Sequence, residues 1–262
     1  MKITQNLKRG VRDYLKAAPL FMAIIRAQEI ELFNLNKQYL TGKVLDFGCG
    51  DGFFASVSFK NSNLIKNLVG IDLTSNLRTT IAKNNQIYQK LFLYDGRKLP
   101  FQKNSFDSVA SNCVFEHIPK IADSVAEIYR VLKPGGYCVT SVMTDQWDNL
   151  QLGRKIVGFW YSKWMRQNQV HVSLLSSKGW QKLFESAGFE VVSQTGYVGE
   201  TCAAWLDIAH YFSFPALIWY KLTGKWSLWP ELTTLPWTNL ILKIVTLPVK
   251  KHAAEFFVLR KI

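Results

Sequence analysis

The sequence predicts a doubly wound α/β fold with a mostly parallel sheet. The first indication is the run from Lys43 to Gly52, an apolar strand that ends in three glycines just before a helix start at Phe53. The second is a buried strand from Leu68 to Leu73 that carries an acid, Asp72, near its end. A strand, a glycine turn and a helix start place free backbone N–H groups at the carboxyl edge of such a sheet, where nucleotide-like ligands bind.

The remaining elements follow in order. Helices are expected over residues 3–40, with a break near Pro19, and a weaker strand over 87–94. Pro134 and the glycines after it are expected to end a helix that begins near Ile121. The further predicted elements are strands at 107–115, 137–143, 189–193 and 256–261 and helices at 121–132 and 176–188.

Length and composition limit the class of protein. The 262 residues can bury a full core, and the formal net charge of +13 implies attraction to something acidic. No block of five consecutive basic residues occurs, which argues against a nucleic-acid partner. The chain opens on a polar, basic stretch rather than a secretory signal, so a cytoplasmic location is expected. Neither a zinc site nor a disulfide framework is suggested by four scattered cysteines: Cys49, Cys113, Cys138 and Cys202.

The glycine spacing argues against a dinucleotide. A dinucleotide fingerprint that starts at Gly48 would need its third glycine where Phe53 stands. The second strand of a doubly wound sheet ends beside the glycine turn, so Asp72 could accept hydrogen bonds from both hydroxyls of a ribose. The alternative is that Asp72 caps a helix that follows Asn76.

Several short motifs follow one another along the chain. The acid-x-Gly-x-Gly turn comes first, and Asp95-Gly96 follows the third strand. Later come Leu-Pro-Phe at 99–101, Ser-Phe-Asp at 105–107, Glu-His-Ile-Pro at 116–119 and Leu-Lys-Pro-Gly-Gly at 132–136. In this order the motifs resemble those of the class I S-adenosylmethionine-dependent methyltransferases of the type 11 kind. The resemblance covers residues 43 to about 195. It implies a Rossmann-like sheet of seven strands whose last strand is antiparallel.

The resemblance also implies a cofactor, S-adenosylmethionine. The glycine turn would hold its amino acid end with Asp46 near the ammonium, Asp72 on the ribose and Asp95 near the adenine. The cofactor-binding residues implied in this way are Asp46, Gly48, Cys49, Gly50, Asp72, Leu73, Asp95, Gly96 and Asn112.

Two histidines are candidates for acid–base catalysis. His117 follows the fourth strand, and His171 lies in the long connection from Asp145 to Leu175, which in the family helps to form the acceptor pocket. The alternative for each is a role in helix entry. A related subgroup of O-methyltransferases holds a divalent metal with a glutamate three residues before the Glu-His pair. Cys113 occupies that position in this chain, so no metal site is expected.

The chain departs from the family before its last strand, where about 60 extra residues occur. We therefore expect a helical cap at 1–40, a methyltransferase core at 41–198, an aromatic helical insertion at 199–254 and a final strand at 255–262.

The segment from Cys202 to Tyr220 contains Asp207, His210 and Pro215. An acid at mid-span costs roughly 2.5 to 3.5 kcal/mol, so spanning of a bilayer is not expected. Binding in the interface, through aromatic residues and lysines such as Lys221, Lys225, Lys243, Lys250 and Lys251, remains open. Two other roles for the insertion also remain open, a soluble helical subdomain and a homodimer face.

These patterns favour an enzyme that methylates a small acceptor which is lipidic or held at an anionic membrane, with the protein peripheral at the inner membrane face. A methyltransferase for a soluble metabolite or sugar, with the insertion used for dimerisation, is the alternative. A noncatalytic or RNA-binding module would fit the charge, but it would not need intact cofactor motifs.

Overall fold

A computed structural model describes residues 3–59, 67–73, 87–223 and 230–262. The chain divides into two compact units. Unit 1 contains Met1–Leu32, Asp145–Gln169 and Gly196–Ala254, and unit 2 contains Phe33–Thr144, Val170–Thr195 and Glu255–Ile262. The predicted helix after Asn76 lies outside the described residues, as do Lys225, Trp226 and Trp229.

Seven strands form one sheet in the order β3-β2-β1-β4-β5-β7-β6. β1 pairs in parallel with β2 and β4, β2 with β3, and β4 with β5, while the last strands run antiparallel. The doubly wound, mostly parallel sheet predicted from the sequence is therefore confirmed. The strands are β1 (Val44–Phe47), β2 (Leu68–Leu73), β3 (Lys90–Tyr94), β4 (Phe106–Asn112), β5 (Leu132–Met143), β6 (Phe189–Gly199) and β7 (His252–Lys261).

The helices follow from apolar spacing and local capping. In α4, residues Val125, Ile128 and Val131 are buried three residues apart and so line one face. In α8, the Ser176 hydroxyl accepts from the Gly179 N–H at 3.1 Å and caps the helix start. The helices are α1 (Gln5–Ala17), α2 (Leu20–Leu35), α3 (Phe53–Ser58), α4 (Ile121–Val131), α5 (Gln146–Leu150), α6 (Leu152–Val157), α7 (Phe159–Gln169), α8 (Ser177–Ser186), α9 (Glu200–Thr223) and α10 (Pro230–Val245).

The core of unit 2 lies between the sheet and α4 and α8. Phe47, Val109 and Phe257 come from the sheet, and Ile128 and Trp180 from the two helices, and all are nearly inaccessible to solvent. The Trp180 indole N–H donates to the Met143 carbonyl at 2.9 Å, so this large side chain is buried with its polar atom satisfied.

The role predicted for the Lys-Pro-Gly-Gly run is wrong. α4 ends at Val131 and its C-cap, Leu132, is extended rather than left-handed. Strand β5 already begins at Leu132 instead of Tyr137, and Leu132 pairs with Phe106 while Tyr137 pairs with Ser108. Residues 133–136 therefore form a bulge opposite Asp107. The glycines are needed for this bulge, because Gly135 has a φ of 75° and a Cβ on Gly136 would meet the Asp107 carbonyl at 2.6 Å.

Unit 1 is organised around buried polar side chains on α2. The Gln28 side chain donates to the Val245 carbonyl at 3.0 Å and accepts from the Val198 N–H at 3.1 Å. Glu29, which is also buried, accepts from the Tyr197 hydroxyl at 3.0 Å. These bonds attach α2 to the end of β6 and to the end of α10. Among the described residues, none of the helices combines the length and the apolar character that crossing a membrane requires.

Candidate functional site

The glycine turn after β1 is built from left-handed backbone. Gly48, Gly50 and Gly52 have φ values of 74°, 52° and 71°, which favour glycine over any other residue. A Cβ on Gly48 would also meet the Val114 side chain at 2.3 Å, whereas a Cβ on Gly50 would meet no atom of the described residues within 4 Å. The turn therefore packs on the protein at Gly48 and leaves room for a ligand at Gly50.

The N–H groups of this turn are not free, which corrects the sequence-based prediction. The Gly48 and Cys49 N–H groups donate to the Ile71 carbonyl at 2.9 and 3.1 Å. The Gly50 N–H donates to Asp72 Oδ2 at 2.6 Å. These contacts arise because β2 is the parallel neighbour of β1 and its end reaches the turn. The turn thus contributes shape and open space rather than a row of unsatisfied donors.

Asp72 is buried at the end of β2 and is directed at the turn. Its Oδ1 accepts from the Leu73 N–H at 2.7 Å, and its Oδ2 accepts from the Gly50 N–H. Both oxygens of this carboxylate therefore accept backbone N–H groups, one from the glycine turn and one from the end of β2. The alternative, a cap for a helix after Asn76, concerns residues outside those described.

Asp46 is buried at the end of β1 and accepts from the Tyr88 hydroxyl at 2.7 Å. Burial raises the pKa of Asp46 to about 7, the Tyr88 hydrogen bond acts in the opposite direction, and the charge of Asp72 raises it further. Sequence reasoning missed Tyr88 because it placed this residue inside the predicted strand 87–94. It lies just before β3, which begins at Lys90.

Titration of Asp46 should make the folding stability fall and the affinity for a cationic ligand rise as the pH increases. Its folded-state pKa lies above the ordinary value of about 3.9, so its stabilising effect is complete below pH 4 and is lost as the pH rises towards 7. A cationic ligand group, in contrast, would bind the ionised form, so affinity for such a ligand should rise across the same range. In Asp46→Asn both trends should weaken, as measured by thermal unfolding and by calorimetric titration of S-adenosylmethionine between pH 5.5 and 8.5.

Asp123→Asn, at an exposed position on α4, is the matched control for loss of a carboxylate. Tyr88→Phe should move the midpoint of both trends upward, since it removes the hydrogen bond that lowers the Asp46 pKa. Identical pH profiles for the Asp46→Asn variant and the unaltered protein would contradict the assignment.

The other residues implied as cofactor ligands lie along the same sheet edge, because β1 to β4 are parallel neighbours. Asp95 is exposed just after β3, and its Oδ1 accepts from the Arg97 N–H at 3.0 Å. Gly96 has a φ of 83°, and Leu73 is exposed. Asn112 ends β4, where its Oδ1 accepts from the Ser141 hydroxyl at 2.7 Å. Cys49 is buried in the turn, which raises its thiol pKa far above the usual range and leaves it unreactive.

Tyr94 is a second tyrosine at this edge that sequence reasoning did not single out. Burial, together with the charges of Asp72 and Asp95, raises its pKa to about 12. Its ring packs 6.1 Å from that of Phe47. Asp46, Asp72 and Asp95 thus lie at one edge with two tyrosines, a set suited to a ligand that carries both hydroxyl and cationic groups.

The two histidine candidates come together in unit 2. Their ring centroids are 5.1 Å apart, although the residues lie far apart in sequence. His117 Nδ1 contacts the Val170 carbonyl at 3.0 Å, which fixes the proton on Nδ1 and leaves Nε2 as an acceptor. The Glu116 carbonyl accepts from the N–H groups of Val172 and Ser173, both at 3.0 Å, so the backbone holds the His171 segment against the Glu-His pair.

Glu116 adds a carboxylate to this pair. It is fully buried, and its Oε1 accepts from the Met143 N–H at 3.2 Å. Ligand atoms of Glu116, His117 and His171 all lie within 4.8 Å of one another, close enough for the three side chains to hold a metal ion. The expected absence of a metal site, which follows from the scattered cysteines and from Cys113, stays a prediction.

A family model described as "Methyltransferase domain" matches residues 45–140, which include β1 to β4 and most of β5. This match and the order of the sheet strands support a class I S-adenosylmethionine-dependent methyltransferase. The matched part of the chain contains every proposed cofactor residue and His117, whereas His171 and unit 1 lie outside it.

Individual relatives of the chain are also named as methyltransferases. A Mycolicibacterium smegmatis protein named "Probable S-adenosylmethionine-dependent methyltransferase" is 30% identical over 169 residues, covering 64% of this chain and 59% of that protein. A Synechocystis 2-methyl-6-phytyl-1,4-hydroquinone methyltransferase is 29% identical over 171 residues, covering 63% of this chain and 52% of that protein. The chain therefore spans between half and three-fifths of the length of these relatives.

Solved structures show the same fold. The Haemonchus contortus phosphoethanolamine N-methyltransferase 2 in complex with S-adenosyl-L-methionine has a TM-score of 0.55 and 17% identity. The match covers 92% of this chain and 57% of that chain. At this identity the likeness concerns the fold alone.

Proposed function

We propose that this protein transfers a methyl group from S-adenosylmethionine to a small acceptor that is lipidic or held at a membrane. The observation that carries the methyl-transfer part is the meeting of Asp46, the Gly48–Gly52 turn and Asp72 at one sheet edge. Bound S-adenosylmethionine supplies an electrophilic methyl on a sulfonium. The protein's part is to hold the acceptor in line with it, an effect worth roughly 7 to 11 kcal/mol in well-oriented reactions.

Each carboxylate has a distinct proposed role. The ionised Asp46 carboxylate neutralises the charge of the cofactor ammonium. Asp72 accepts hydrogen bonds from the ribose hydroxyls, and Asp95 lies near the adenine. Gly50 gives the amino acid end of the cofactor room to approach the backbone. Leu73, Gly96, Cys49 and Asn112 complete the surface at this edge.

The imidazole pair is proposed to serve an acceptor that must lose a proton. His117 is the proposed base, and Nε2 is the nitrogen that would take the proton, because Nδ1 donates to the Val170 carbonyl. His171, at a ring distance of 5.1 Å, is the second group that could receive or relay the proton. A positioned base typically accelerates a reaction by roughly 10²- to 10⁴-fold.

The lipidic acceptor is supported by the surface of α9. The first half of this helix is buried within unit 1 at Cys202, Leu206 and Asp207. Its second half is exposed although it is apolar, at Tyr211, Phe212, Leu217, Ile218 and Leu222. A hydroquinone with a phytyl chain is named as the substrate of the Synechocystis relative, and an exposed apolar helix end is suited to such a lipid or to the membrane that contains it. A peripheral position at the inner face of the membrane follows from this proposal.

The alternative is a soluble metabolite or sugar as acceptor. The buried first half of α9 favours it, because packing of that kind is expected of a soluble helical subdomain. In that case the exposed second half would be covered in a homodimer. A stable dimer that Phe212→Gln with Leu222→Gln converts to a monomer would support the alternative.

The test is transfer of labelled methyl from S-adenosylmethionine to fractions of a cell extract. We expect label in the organic-solvent fraction, absence of transfer with Asp72→Ala, and a reduced rate with His117→Gln or His171→Gln if a base is used. Label confined to the aqueous fraction would support the alternative acceptor. Absence of both calorimetric cofactor binding and transfer in the unaltered protein would overturn the proposal itself.

A further inference from the structure

The junction of α6 and α7, in unit 1, exposes large apolar side chains. Ile156 and Val157 end α6 with 75% and 61% of their surface exposed. Phe159 and Trp160 begin α7 with 63% and 72% exposed, and Trp164 follows one turn later with 52% exposed. We call these five residues the Trp160 surface. Contiguous exposure of this kind marks a site that contacts something else.

Contacts on the opposite side of α7 determine which way this surface points. Tyr161, Ser162 and Met165 are buried, the Tyr161 hydroxyl donates to Asp207, and the Ser162 hydroxyl donates to the Asp148 carbonyl at 3.3 Å. Trp160 and Trp164 lie four residues apart on the outward face. The outward apolar residues are therefore not the side by which α7 packs on the rest of unit 1, because α7 already packs through its opposite side.

The stretch of sequence that carries the Trp160 surface has charges of one sign. Within unit 1, residues 149–169 contain four basic residues and no acidic residue. Lys155 and Lys163 are exposed beside the surface, and within the described part of the chain neither forms an ion pair. The Lys163 ammonium lies 5.7 Å from the centre of the Trp160 ring.

We propose that the Trp160 surface docks the protein on an anionic lipid bilayer, with its aromatic rings at headgroup depth. Tryptophan rings prefer the interface between water and hydrocarbon, and lysines beside them attract anionic headgroups. The absence of acidic residues from 149–169 is complementary to a surface of uniform negative charge. This inference rests on the proposed function, in that docking brings the enzyme to a membrane-held acceptor.

The test is flotation of the full-length protein with vesicles of phosphatidylcholine alone or mixed with phosphatidylglycerol. We expect binding to the mixed vesicles and weakened binding in high salt. Lys155→Glu with Lys163→Glu should reduce affinity for mixed vesicles by roughly tenfold or more. Trp160→Gln with Trp164→Gln should reduce binding to both kinds of vesicle, and should abolish the blue shift of tryptophan emission on binding.

Lys178→Glu with Lys182→Glu is the matched control, since it makes the same charge change at exposed positions of unit 2. The inference fails if the unaltered protein does not float with the mixed vesicles, or if the Trp160 surface variants bind as well as the control. It also fails if the tryptophan variant instead converts a dimer into a monomer. Calorimetric binding of S-adenosylmethionine is measured in parallel, so loss of docking with intact cofactor binding is distinguished from failure of the methyltransferase assignment.

Discussion

Replacing Asp72 by alanine is expected to weaken binding of S-adenosylmethionine by roughly 10²- to 10⁴-fold. Hydrogen bonds to a charged acceptor contribute roughly 1.5 to 3 kcal/mol each, and two ribose hydroxyls would be lost, where 1.4 kcal/mol corresponds to tenfold. The change also removes the acceptor of the Gly50 N–H at 2.6 Å and so loosens the turn. Isothermal titration calorimetry at pH 8, where Asp46 is ionised, measures the effect directly.

Two variants separate these causes. Asp72→Asn keeps an oxygen that can accept from the Gly50 N–H but loses the charge, so its affinity should fall between those of Asp72→Ala and the unaltered protein. Asp123→Ala removes an exposed carboxylate of α4 and should leave affinity unchanged. If Asp72→Ala bound S-adenosylmethionine with unchanged affinity, the ribose assignment would be wrong and the role of Asp72 would be purely structural.

The parallel core was predictable because each of its strands is a short apolar run that ends in a chemically distinctive residue. β2 was predicted with its observed bounds, Leu68 and Leu73, since an apolar run stops where Asp72 and polar residues follow. The sheet order then follows from the rules for doubly wound folds. Asp46, Asp72 and Asp95 had to share an edge once that order was assumed.

The contacts within the site were less predictable, because they depend on which groups meet across strands. The sequence indicates that Asp72 lies beside the glycine turn, but it does not indicate that Asp72 itself takes the Gly50 N–H. Tyr88 reaches Asp46 from just outside β3, and no local pattern marks a tyrosine for that role. The same reason explains why His171 could be named as a candidate while its approach to Glu116 and His117 could not.

The glycines of the Lys-Pro-Gly-Gly run show a different limit. A left-handed glycine after a helix is the usual cap, yet Gly135 adopts that conformation inside a strand bulge. The prediction from local sequence was therefore right about the left-handed conformation of Gly135 and wrong about its structural role. The difference depends on whether Leu132 finds a strand partner, and that partner, Phe106, is distant in sequence.

The insertion posed the opposite problem, because its composition suited both a membrane and a core. Asp207 was interpreted as an obstacle to spanning a bilayer. In unit 1 it is buried, its Oδ2 accepts from the Gly153 N–H at 2.7 Å, and its Oδ1 accepts from the Tyr161 hydroxyl. The Tyr211 hydroxyl donates in turn to that of Tyr161 at 2.9 Å. Asp207 is therefore a structural acceptor that joins α9 to α7 and to the start of α6.

Asp207→Ala is accordingly expected to destabilise the protein by roughly 3 to 6 kcal/mol, since two bonds to a buried carboxylate are lost and the Gly153 N–H is left without its acceptor. For a chain of this size that corresponds to a fall in melting temperature of about 6 to 20 °C, measured by circular dichroism or calorimetry. Asp207→Asn retains an oxygen for one of the two donors and should lose less than half as much.

Tyr211→Phe serves as the peripheral control, because it removes only the outermost bond of the chain that ends at Asp207. A melting temperature of Asp207→Ala within a degree of the unaltered protein would contradict this account. Cofactor affinity offers a further distinction, since the proposed cofactor residues all belong to unit 2 and Asp207 to unit 1. Below its melting temperature, Asp207→Ala should bind S-adenosylmethionine with unchanged affinity, whereas Asp72→Ala should lose affinity at a temperature at which it is folded.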